Sequence, residues 1–159
     1  MDEQKITQNP ADEKKEEQPE KKFESLYSQV QEMSISEKIK LATLGNKEAR
    51  NLLIKDANKL IQQAVINSPK ITDEEIIGHA GNRNLSKEVP RMIAAKKEFI
   101  KNYRVKLALV NNAKTPVPTS LKLLGLLMEK DLRKIAKSKN VSSVIARTAQ
   151  RTLSSRGRM

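Results

Sequence analysis

The chain has no cysteine and no tryptophan, a single histidine, and only five glycines among 159 residues. Without cysteine there is no disulfide framework, no thiolate-ligated zinc or iron–sulfur cluster and no thiol nucleophile. With His79 as the one imidazole, a multi-histidine metal site within one chain is excluded too. Five glycines leave little for phosphate-cradling loops. Aromatic side chains make up 3% of the residues: Phe23, Tyr27, Phe99 and Tyr103. That scarcity argues against the stacking platforms that hold single-stranded nucleic acid. Long apolar runs are lacking as well. The longest, around Leu121–Met128, is interrupted by Lys122 and is far short of a membrane span. Met1 to Lys22 is too polar for a secretory leader, so a cytoplasmic location is the expectation.

What the chain has is charge, and it is mostly positive. Lys and Arg number 31 against 19 Asp and Glu, a formal net charge of +12. The excess is uneven. Residues 1–22 hold seven acids and five lysines, with Pro10 and Pro19 interrupting any helix and only Met1, Ile6 and Ala11 apolar. Such a segment buries too little apolar surface to offset about 1–2 kcal/mol of backbone entropy per residue, so it reads as a disordered charged tail. The rest of the chain, 26 bases and 12 acids, reads as one domain over residues 23–154 with a flexible basic end at 155–159.

Within that domain the punctuation is helical. Ser34 with Glu37 and Thr72 with Glu75 have capping-box spacing ahead of apolar residues. Gly45-Asn46 closes one helix and caps the next, whose inward face is Ala49, Leu52 and Leu53. Another helix carries Leu60, Ile61, Ala64 and Val65. Ser86 and Ser142 are further caps, and Pro90 sits in a first turn, where its missing N–H costs least. Phe99, Ile100, Tyr103, Leu107 and Val110 read as one helix stopped at Asn111-Asn112. Thr115-Pro116-Val117-Pro118 then reads as a rigid connector. No period-two strand with turn signals is present. The expectation is an all-α fold of about ten short helices arranged as a curved α-solenoid, with Phe23, Tyr27 and Tyr103 in its core.

Two segments reappear along the chain. Val65–Lys70 is similar to Leu109–Lys114 at a shift of 44 residues, and Ala80–Ser86 to Ala136–Ser142 at a shift of 56. A degenerate helical repeat of some 40 residues is the signature of stacked arrays. The phrase Leu107-Ala108-Leu109-Val110-Asn111-Asn112-Ala113-Lys114-Thr115-Pro116 resembles the turn of HEAT-like and leucine-rich-repeat-variant helical repeats, and Ile66–Thr72 is a weaker copy. The chain is also similar to uncharacterised bacterial helical-repeat proteins. Over residues 34–154 the resemblance implies a scaffold that binds protein or nucleic acid, with no catalytic residue and no cofactor.

No catalytic constellation stands out. His79 lies near a helix end beside Ile76 and Ile77, and no local motif supplies a partner for a general base. Asp73, Glu74 and Glu75 read as favourable charges at a helix N-terminus. The expectation is therefore no enzyme, no metal, no cofactor and no small-molecule substrate.

The clustered bases are the remaining signal. Arg91 to Lys106 holds six bases and one acid, and Lys130 to Met159 holds nine bases and one acid. Helical spacing aligns Lys97, Lys101 and Arg104, then Lys130, Lys134 and Lys137, then Arg147 and Arg151. Stacked like charges weaken a helix by a few tenths of a kcal/mol per pair, roughly, so an external partner or simple solubility is the return. These eight are the candidate partner-binding residues, expected to be exposed. Three uses compete. An acidic protein partner comes first and implies a non-enzymatic adaptor. Nucleic acid bound through its backbone phosphates comes second. A membrane surface comes third, because the basic end lacks Trp or Phe anchors.

Overall fold

The structure, a computed structural model, describes residues 26–157. The expected tail at 1–22, Phe23 and the last two residues lie outside that range. The described residues form helices joined by short turns, with no strand among them. After helical residues 26–32 (α1) come α2 (Ile35–Leu44), α3 (Lys47–Leu53), α4 (Lys59–Ile66), α5 (Asp73–Gly81) and α6 (Glu88–Ala94). Then follow α7 (Lys97–Ile100), α8 (Tyr103–Asn111), α9 (Val117–Leu124), α10 (Glu129–Ala136) and α11 (Ser143–Gly157).

Short polar side chains start most of these helices. Ser34 accepts from the Glu37 N–H at 3.2 Å, Asn46 from Ala49 at 3.0 Å, Asn58 from Leu60 at 2.8 Å and Asn102 from Arg104 at 2.9 Å. Thr72 and Glu75 form a complete capping box, and Ser142 accepts from the Ile145 N–H at 3.4 Å. Each such cap is worth about 1 kcal/mol. The α2–α3 junction depends on Gly45. Its N–H reaches the Leu41 carbonyl at 2.7 Å, and a Cβ there would lie 2.5 Å from that same oxygen.

The helices line up in two files. In one, α2 packs on α4, α4 on α6, and α9 on α11. In the other, α5 packs on α8, while the Arg50–Glu75 pair ties α3 to α5 and the Tyr103–Asp131 bond ties α8 to α10. Successive starts within a file are 24 to 30 residues apart, shorter than the spacing of some 40 expected. Polar bonds between elements cluster at separations of 24 to 32 residues, with Lys38–Asp56 at 18 the exception. The 56-residue shift joins α5 to α10, two steps apart in one file. The 44-residue shift joins α4 to α8, which belong to different files. Between the files lies one continuous apolar core that includes Ile61, Ile76, Ile93, Leu109, Leu124 and Ile135.

Five expectations need correction. The single helix over Phe99–Val110 is two, because Asn102 adopts an extended conformation and caps α8. The Thr115–Pro118 connector is shorter, since α9 begins at Val117 with Pro118 in its first turn. Ser86 accepts from the Glu88 N–H at 3.1 Å, but the residue flanking α6 is Lys87. The basic end is not free at 155–157. There α11 continues, and Arg156 donates to the Leu127 carbonyl at 2.7 Å and the Gly125 carbonyl at 2.8 Å. Of the aromatics expected inside, Tyr27 is exposed, and Tyr103 is half-buried with its hydroxyl in a polar link. Leu132, Ile135, Ile145 and Ala149 are buried, as their spacing predicts.

Candidate functional site

All eight candidate cations are exposed, but they do not form one surface. The break at Asn102 separates Arg104 from Lys97 and Lys101. Arg104 turns toward α5 and pairs with Glu74 at 2.6 Å. Both side chains of that pair are well exposed, so it contributes at most about 1 kcal/mol. Lys130 and Lys134 lie on α10, Lys137 ends it, and Arg147 and Arg151 lie on α11. These five pair with no carboxylate among the described residues.

Lys97, the first residue of α7, and Lys101, which caps its end, face a cleft of about 720 Å³. Three further cations line it: Arg91 from α6, Lys106 from α8 and Lys122 from α9. Ala94, Ala95, Ile100 and Leu123 supply apolar surface, and Thr119 adds a hydroxyl. No acidic residue lines the cleft. Arg91 on its rim stands 3.7 Å from Glu88, which also lies 3.5 Å from Lys59. A second recess of about 280 Å³, lined by Lys87, Glu88, Arg91, Lys114 and Pro116, shares Arg91 and extends the basic track.

Helix α7 supplies part of the cleft wall. It occupies the turn between α6 and α8 and packs on both. Lys96, at its N-cap, lies 5.4 Å from the Phe99 ring centroid and 3.8 Å from Glu98, both on the same short helix. The α6 and α9 faces are left flanking open space.

Of the five cations that line the cleft, Lys97 and Lys101 were among the candidate residues and Lys122 was not. Lys122 stands in the sequence as a break in an apolar run, and that break is the signal: a lone lysine in a leucine-rich helix must point outward. Arg91 and Lys106 were counted in the basic cluster but left off the linear stripes. Their convergence depends on tertiary packing.

Two other polar centres lie on or beside α5. Arg50 and Glu75 form a buried bidentate pair, with Nε–Oε1 at 2.8 Å and Nη2–Oε2 at 3.2 Å. Arg50 also donates to the Gly45 carbonyl at 2.8 Å. Burial pushes the Glu75 carboxyl up, but Arg50 and Thr72 outweigh it and hold the group below the usual carboxylate range. His79, one turn on, is 7% exposed, and its Nε2 has no hydrogen-bond partner in the structure. Burial pulls its pKa below the ordinary 6.5, Glu75 opposes that shift and Arg50 adds to it.

Among the described residues no group of three or more His, Asp or Glu side chains is placed to hold a metal. No described helix is long and apolar enough to cross a membrane. No family model, curated protein or solved structure matches the chain.

Proposed function

We propose that the chain is a non-enzymatic adaptor, a short HEAT-like helical array that binds an acidic protein partner in the cleft between α6 and α9. The array reading is supported by the two files of helices at intervals of 24 to 30 residues. One observation carries the partner class: five cations and no acid surround an apolar floor. Protein interfaces combine an apolar centre with a polar rim, and charge complementarity there sets orientation and association rate. A groove for backbone phosphates has less need of Ile100 and Leu123 at its base.

The nucleic-acid reading keeps one supporting observation. Lys130, Lys134, Lys137, Arg147 and Arg151 offer cations unpaired among the described residues. Capture experiments with the full chain separate the two. The adaptor reading expects a bound protein that survives nuclease treatment and is lost on Lys101→Glu/Lys122→Glu. Loss of the captured material on nuclease treatment, with no effect of the cleft substitutions, contradicts it.

A further inference from the structure

The cleft has the character of a missing helix. Its file runs α2, α4, α6, α9 and α11, and of its neighbouring pairs α6 and α9 pack least closely. The open space between those two is bounded along its length by helices α6, α7, α8 and α9. A helix about 10 Å across with a 5.4 Å pitch fills roughly 420 Å³ per turn. The cleft's volume of about 720 Å³ is of the same order as a short stretch of helix lying partly in the groove. Ala94 and Ala95 present small side chains, and helix axes approach to about 8–10 Å only where contact residues permit it.

Resting on the adaptor reading, we infer that the occupant is an acidic amphipathic helix that completes the file between α6 and α9. Its apolar stripe, at i, i+3, i+4 and i+7, lies on Ile100, Leu123 and the two alanines. Its flanking acids face Lys97 and Lys101 on one side and Lys106 and Lys122 on the other. This is recognition of a helix in a groove, in which the apolar anchors supply affinity and the charges supply register. Charge complementarity decides between occupants. A basic helix meets five cations, and a second copy of this strongly basic chain would repel as it approaches.

Three labelled probes test this with the full-length chain, read by fluorescence anisotropy. The first is a roughly 18-residue peptide, about five turns, of Leu, Ala, Gln and Glu, with its leucines on one helical stripe and its glutamates flanking them. The second has the same composition with the stripe scrambled. The third is a DNA duplex. The striped peptide is expected to bind at least about tenfold more tightly than the scrambled one. It should gain helix on binding, and lose about tenfold or more in affinity on Lys101→Glu/Lys122→Glu. Both lysines are exposed, so the variant keeps its fold, which its circular dichroism verifies. Equal affinity for the two peptides, both sensitive to the substitutions, overturns the helix and leaves the acidic-partner reading standing. Binding of neither peptide overturns both, and tight duplex binding beside weak peptide binding does the same in favour of phosphate.

Discussion

Removing the Glu75 carboxylate should cost more stability than any exposed substitution in the chain. Its side chain is 1% exposed and that of Arg50 is 5% exposed, so neither group has water to fall back on. Glu75→Ala deletes two bonds from Arg50, at 2.8 and 3.2 Å, and two from Thr72, at 2.8 and 3.0 Å. The Arg50 guanidinium keeps its bond to the Gly45 carbonyl but loses its counter-charge. Breaking a buried pair from one side costs about 3–5 kcal/mol. For a chain of this length each kcal/mol lowers Tm by roughly 2–4 °C, so the expected drop is about 6–20 °C. Thermal unfolding at pH 7, followed by circular dichroism, reads it. The Arg50→Met/Glu75→Leu double variant should recover most of the loss, because an apolar pair of similar volume carries no desolvation cost. The folded carboxyl titrates below its ordinary 4.5, so its contribution is present above that pH and lost as pH falls through the lower folded value. A Glu75→Ala loss under about 1 kcal/mol would refute this reasoning and class the pair with exposed ion pairs.

Three further outcomes follow from other parts of the fold. His79 titrates below 6.5 in the folded chain, so the unfolded chain takes up its proton first. Stability should fall as pH drops from 7.5 toward 5.5, and His79→Gln should flatten that slope in urea titrations; an unchanged slope assigns it elsewhere. Gly45→Ala should destabilise by about 1–3 kcal/mol, because its Cβ meets the Leu41 carbonyl, whereas Gly78→Ala meets nothing and should stabilise α5 by up to about 1 kcal/mol. Tyr103→Phe removes the 2.6 Å bond to buried Asp131 and the acceptor of the Met128 N–H, and should cost about 1–3 kcal/mol in chemical denaturation.

The helices and their caps were legible because capping is local chemistry. Ser34, Asn46, Thr72 and Ser142 each sit within three residues of the N–H they serve. The split at Asn102 was hidden because Phe99, Tyr103 and Val110 keep helical spacing straight across it. The interval between like helices was misjudged because one of the two matched segments pairs opposite files. Arg50 and Glu75 lie 25 residues apart, and only the tertiary fold brings them together. A charged residue next to Ala49 on the inward face of α3 was the available hint, since a buried arginine requires a partner. The cleft was half legible. Lys97 and Lys101 follow from local spacing, whereas Arg91, Lys106 and Lys122 come from three other helices and converge only in the tertiary fold.

Chemical-shift mapping of the full-length chain with the striped acidic peptide tests the cleft most directly. The backbone amides of Ala94, Ala95, Ile100, Lys101, Lys122 and Leu123 should shift in a saturable way, while those around Lys130, Lys134, Arg147 and Arg151 stay in place. Shifts centred on α10 and α11, with the cleft amides unmoved, would contradict the cleft as the partner-binding surface.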